Sequence, residues 1–179
     1  MDAELQKYRK YLMDEFHKSH PEFSFPEFAE EAVYTAPILT LLQDPGNSDA
    51  ENTEVCSIKN EDPTSKNQKE IIETKVGINR EEIVFWNFFA PFNIGNDFGI
   101  KSQERWAKEV EELIRRMPKL KVVLVCGEKA WKGMRFVKLD KNIPLIAAPH
   151  PSSRGLAQSG AREKLEEAWK RAKKMAGLK

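Results

Sequence analysis

The sequence predicts an α/β protein, a three-layer α/β/α arrangement around a central, mainly parallel sheet of about four strands. Three observations carry that expectation. Four short and mostly apolar runs, residues 36–42, 82–86, 121–126 and 143–148, have the length and the β-branched content of strands covered on both faces. Segments with apolar residues at helical spacing lie between them. Strand and helix therefore alternate, as a parallel sheet requires, because parallel neighbours need a crossover connection.

In chain order, residues 2–18 place Leu5, Tyr8, Leu12 and Phe16 on one face of an otherwise polar helix. Pro21 and Pro26 break the chain into an aromatic connector, Phe23-Ser24-Phe25-Pro26-Glu27-Phe28. The first strand follows, with Pro37 near its start, where a missing N–H is tolerated. From Gly46 to Asn60 the chain is polar and acidic and reads as a loop. Asp62-Pro63-Thr64 supplies a helix start, a side-chain cap followed by proline at the first helical position. Ile71, Ile72 and Val76 continue that helix, and Gly77 ends it. The second strand leads into a loop rich in Pro, Gly and Asn that runs through Gly99. Residues 102–117 form a helix with Trp106, Val110, Leu113, Ile114 and Met117 on its apolar face and Pro118 just beyond. After the third strand, Gly127 turns into a short helix over 128–134. A terminal helix over 161–175 follows the fourth strand and directs Leu165, Ala168, Trp169 and Ala172 inward. No repeat, low-complexity tract or interdomain linker interrupts this order. A single domain over residues 1–179 is expected, with the N-terminal helix and connector (1–35) packed on it.

Composition narrows the class. The 179 residues, 40% hydrophobic and 32% charged, suit a globular chain with a sizeable core and exclude disordered and fibrous classes. No apolar run approaches the roughly 18 residues of a membrane span. Met1-Asp2-Ala3-Glu4 opens a polar segment unlike a signal peptide, which points to a cytoplasmic protein with no membrane partner. Cys56 and Cys126 are too few for a four-thiolate zinc or iron–sulfur site, and Cys126 reads as a buried, reduced thiol. Neither a Gly-rich phosphate loop nor metal-spaced ligands nor a nucleophile elbow is present, so no metal or cofactor is expected. The net charge of +1 conceals a split: residues 1–114 hold 12 Lys and Arg against 23 Asp and Glu, while residues 115–179 hold 17 against 5. That asymmetry hints at a polyanionic partner, although solvated helix faces give the same pattern. Lys138, Lys141, Arg154 and Arg162 also flank the fourth strand and the segment after it, where they could meet phosphate.

Three pieces follow strand ends. They are Gln43-Asp44-Pro45-Gly46, Asn87, and His150-Pro151-Ser152-Ser153. In an open parallel sheet the C-terminal strand ends share one crevice, so an acid, an amide and an imidazole are expected to meet there. Each has a plainer reading. Asp44 before Pro45-Gly46 suits a turn residue that bonds its own backbone, and Asn87 suits a strand-end cap. Pro149 and Pro151 stiffen the backbone on both sides of His150 and aim its ring, which an idle histidine does not need. Ser152 and Ser153 beside His150 do not make a Ser/His pair, since sequence neighbours need not reach the ring. His17 and His20 lie in the polar N-terminal region and carry no assigned role.

Taken together these motifs resemble the uracil-DNA glycosylase superfamily. Its first motif, Gln-Asp-Pro or Glu-Ala-Pro-Gly, follows strand one; an Asn follows the second strand, and a His-Pro-Ser loop follows the last. The chain is similar in particular to a bacterial uracil-DNA glycosylase-like branch. There the first motif precedes a segment like Ser57-Ile58-Lys59-Asn60-Glu61-Asp62-Pro63-Thr64-Ser65-Lys66-Asn67, and Trp-Asn leads to Pro, as in Trp86-Asn87-Phe88-Phe89-Ala90-Pro91. The resemblance spans roughly residues 36 to 175. It implies a monofunctional DNA glycosylase of base excision repair, a monomer acting on single- or double-stranded DNA. Such an enzyme hydrolyses the N-glycosidic bond of uracil or another damaged base after flipping it out.

By that resemblance Asp44 positions or activates water and stabilises positive charge on the sugar. Asn87 reads the base edge, and His150 stabilises negative charge on the departing base. Gln43, Gly46, Ser57, Trp86 and Phe88 line the base pocket, with Phe92 a further stacking candidate. Core packing is the plainer reading of Trp86 and Phe88. Ser152, Ser153, Arg154 and Leu156 contact DNA, and Arg154 or Leu156 enters the vacated stack. One departure stands out: Glu54-Val55-Cys56-Ser57 has no aromatic residue where many members of the superfamily stack on the base. Two alternatives follow, a non-catalytic nucleic-acid-binding module of the same fold and an α/β protein acting on free nucleosides or nucleotides.

Overall fold

The computed structural model describes residues 2–45, 55–92, 94, 96–139 and 142–179. Helix α1 (Ala3–Phe16) begins at Asp2, whose carboxylate accepts hydrogen bonds from the Glu4 and Leu5 amides. Its stripe of Leu5, Tyr8, Leu12 and Phe16 is buried, and the Tyr8 hydroxyl donates to the Glu109 carbonyl at 3.0 Å. Strands β1 (Glu27–Phe28) and β3 (Val55–Cys56) form a small parallel ribbon, Phe28 opposite Cys56. The segment read from sequence as a loop thus contains a strand. Two residues are too few for any alternation to announce it.

The main sheet joins β2 (Ile38–Leu42), β4 (Ile83–Asn87), β5 (Val122–Cys126) and β6 (Leu145–Ala148) in the order β4-β2-β5-β6, every pairing parallel. Each strand starts one or two residues later than expected, and β4 runs on to include Asn87. Side chains alternate across the sheet. Leu39, Leu41, Val84, Trp86, Val123 and Val125 face one core with α1, α3 (Ile100–Arg116) and α4 (Glu128–Met134). Ile38, Ile83, Phe85, Val122, Leu124 and Ile146 face the other, against a helix after β3 and α6 (Ala161–Ala176). The architecture is three layers, α/β/α.

The helix after β3 changes character midway. Helix α2 (Pro63–Lys69) is capped by Asp62, which accepts from the Ser65 amide at 3.0 Å and has Pro63 at its first position. From Glu70 to Val76 the winding widens to a π-helix, closed by Gly77 in the left-handed conformation (φ 68) with its amide bonded to the Ile72 carbonyl. Sequence periodicity predicts a helix over this stretch but not its extra residue per turn. Among the described residues no helix is long and apolar enough to cross a membrane.

Trp86 ties the ribbon to the sheet. Its ring stacks on Phe28 with centroids 4.2 Å apart and 16° between planes, while Tyr8 meets it edge-on at 6.0 Å. Trp86→Ala is expected to lower the free energy of unfolding by about 3–5 kcal/mol, read from urea denaturation, through the cavity it opens. A loss below about 1 kcal/mol would contradict this packing.

Candidate functional site

In-register pairing brings the strand ends to one edge: Leu42 lies opposite Asn87, and Cys126 opposite Ala148. Just beyond those ends a cleft of about 980 Å³ opens, and Asp44, Asn87 and His150 all line it. Gln43, Ser57, Ser152 and Arg154 line it too. The structure therefore brings together the acid, the amide and the imidazole expected from the strand-end motifs.

Each is held by a neighbour. Gln43 Nε2 donates to Asp44 Oδ2 at 2.5 Å. Asn87 is 2% exposed, and its Nδ2 donates to Cys56 Sγ at 3.2 Å, which fixes the plane of the amide. Burial pushes the Cys56 thiol up to about 12, against the opposing pull of the Asn87 hydrogen bond, so Cys56 serves as a neutral acceptor. Sequence reading assigned Cys56 no part in the site.

His150 sits in a loop shaped by two glycines. Gly127 adopts φ +94, and a Cβ there would lie 3.2 Å from His150 Cδ2. At Gly155, in the short helix α5 (Ser153–Leu156), a Cβ would lie 2.1 Å from the His150 carbonyl oxygen. Ser152 caps α5, its Oγ accepting from the Gly155 amide at 3.1 Å. The Ser152 amide donates to His150 Nδ1 at 3.2 Å. That nitrogen is therefore an acceptor, which assigns the proton of the neutral ring to Nε2. Burial lowers the His150 pKa below 6.5, and the Asp44 carboxylate opposes that shift. A neutral imidazole with Nε2–H is suited to donate to an atom that gains negative charge.

Not every expected residue reaches the cleft. Trp86 and Phe88 do not, and strand geometry explains why: Phe85 and Asn87 share one face of β4, and Trp86 takes the other. Both rings are fully buried; Phe88 packs so tightly on Gly133 that a Cβ there would lie 2.3 Å from the ring. The aromatic residues that line the cleft are Phe85 and Phe92. The parity of Phe85 with Asn87 was available in the sequence. Ser153 and Arg154 are exposed, whereas Leu156 is half-buried against the core on the α6 side of the sheet, leaving Arg154 as the exposed member of the wedge pair. Gly46 and Lys141 lie outside the described residues. The Lys138 amide is engaged by Glu111, and Arg162 pairs with Glu70. Lys59 and Lys129 line the cleft without having been expected there. Lys129, two residues past Gly127, follows the same strand-end rule as the motif residues. Among the described residues no three His, Cys, Asp or Glu side chains cluster as metal ligands would.

A comparison with protein-family models finds no match, and a comparison with curated proteins finds none either.

The electrostatics of His150 are open to direct measurement. Its imidazole should titrate below pH 6.5 by NMR, and Asp44→Asn should lower the midpoint further by removing the opposing charge. Since the unfolded chain takes up this proton more readily, acidification below pH 6.5 destabilises the fold through this group, and stability is recovered above it. A midpoint at or above 6.5 would contradict the burial of the ring.

Proposed function

We propose that the cleft binds one flipped-out nucleobase of DNA and that the protein hydrolyses its N-glycosidic bond, releasing uracil or a related damaged base. The convergence of Asp44, Asn87 and His150 in one cleft at the strand ends is the observation that carries this reading. Breaking that bond leaves the electron pair on the base and positive charge on the sugar. A carboxylate and a hydrogen-bond donor, facing the two halves of the scissile bond, stabilise both. In this reading the His150 Nε2–H donates to the oxygen of the departing base. Asp44 faces the sugar and orients the water that adds its hydroxyl to the anomeric carbon, and that water's second proton passes to Asp44 or solvent. The Asn87 amide, pinned by Cys56, keeps its carbonyl oxygen and a second N–H for the edge of the base.

Two further features support the reading. Phe92 and Phe85 supply aromatic surface in a cleft whose Val55-Cys56 wall has none, and base–aromatic stacking contributes about 1–3 kcal/mol per base. Lys129 and Arg154 place positive charge among its lining residues, suited to the phosphates flanking a flipped nucleotide, while Lys59 is paired with Glu31 at 2.9 Å and Glu61 and Asp62 line the cleft as well.

The test is release of free base from oligonucleotides carrying uracil, hypoxanthine, xanthine or mismatched thymine. Asp44→Asn and His150→Ala should each slow release by about 10²–10³-fold, the loss typical of removing one charge-stabilising group. Rates unchanged by these substitutions, or DNA binding with no base released from any lesion, would overturn the proposal. Hydrolysis of free deoxynucleosides in place of oligonucleotides would redirect it to nucleoside processing.

A further inference from the structure

The imidazole of His150 is oriented by a chain of contacts that begins outside its own loop. Asn67, on α2, donates from Nδ2 to the Pro151 carbonyl at 2.9 Å. Its Oδ1 accepts from Arg162 Nη1 at 3.4 Å, and Arg162 Nη2 pairs with Glu70 at 2.5 Å. A guanidinium only donates, so the Asn67 oxygen must face Arg162 and its NH₂ must face Pro151. The orientation of the amide is thereby determined. Neither Asn67 nor Arg162 lines the cleft.

The peptide group joining Pro151 to Ser152 makes this contact consequential. Its oxygen accepts from Asn67, and its N–H is the one that donates to His150 Nδ1. A peptide group is planar and trans, so its two ends turn as one body. Gripping the oxygen therefore fixes the direction of the N–H, and that N–H fixes both the ring and its tautomer. Resting on the reading of His150 as the donor to the departing base, we infer that Asn67, oriented by Arg162 and Glu70, is a positioning residue for that histidine. Asn67 acts through one peptide plane, without touching substrate.

Asn67→Asp separates positioning from folding. Aspartate keeps a partner in Arg162 but has no N–H for Pro151, and its carboxylate repels the carbonyl oxygen. Base release from a uracil oligonucleotide should lose about tenfold or more in kcat, as expected for a displaced catalytic group, with KM within about twofold. In a His150→Ala background the same substitution should change the residual rate by less than about twofold, because the residue it positions is gone. Independently of activity, ¹⁵N NMR of the imidazole should show Nδ1 losing its acceptor signature, assigned by comparison with His150→Ala. Arg162→Gln, which leaves Asn67 in place but frees its orientation, is the second variant and should move the same readouts less. An unchanged His150 spectrum, or equal rate losses with and without His150, would overturn the inference. If the wild-type protein releases no base, the functional reading fails, while the NMR comparison still decides whether Asn67 positions the ring.

Discussion

Parallel pairing of β2 between β4 and β5 is the constraint on which the rest depends. Ile38 lies opposite both Ile83 and Val122, so the three strands advance in step and end at one level. Two consequences follow from elementary geometry. Parallel strands require crossovers, and those crossovers place helices on both faces and divide the apolar side chains into two cores. The chain also leaves every strand on the same side, which carries residues as distant as Asp44 and His150 to one cleft. The site is in this sense a by-product of strand register.

Within the cleft, fixation comes from short-range contacts more than from burial. Gln43 holds Asp44, the Cys56 sulfur holds the Asn87 amide, and the Ser152 amide holds His150 Nδ1. Two of these partners come from residues next to or two away from the one they hold, so the local chain carries much of the geometry. The exception is Cys56, supplied by a two-residue ribbon whose other strand is anchored by the stack of Phe28 on Trp86. Trp86 thereby supports the cleft from behind without lining it.

Much of this was legible in the residues themselves. β-Branched runs located all four strands of the sheet, Asp62-Pro63 marked a helix start, and Gly77 its end. The strand-end rule placed Asp44, Asn87 and His150 together, because it depends on topology and not on sequence distance. What escaped depends on relations that no window of sequence contains. The β1–β3 ribbon is too short to show a period, and the Asn67 contact to Pro151 spans 84 residues. The placement of Trp86 was decidable in principle. Period-two alternation sets it on the opposite face of β4 from Asn87, in agreement with core packing as the plainer reading of its ring.

The π-helical winding from Glu70 to Val76 has a rotational consequence for what precedes it. Each residue of an ordinary α-helix advances about 100° around the axis, and the wider winding advances less, so over seven residues the phase lags by roughly one residue. With Gly77 and the buried Ile71, Ile72 and Val76 fixed against the sheet, that lag decides which way α2 faces. Rewound as a regular α-helix of the same length, the segment would swing Asn67 about a quarter-turn away from Pro151. The extra residue in this winding thus sets the angle at which α2 presents Asn67 to the Pro151 carbonyl.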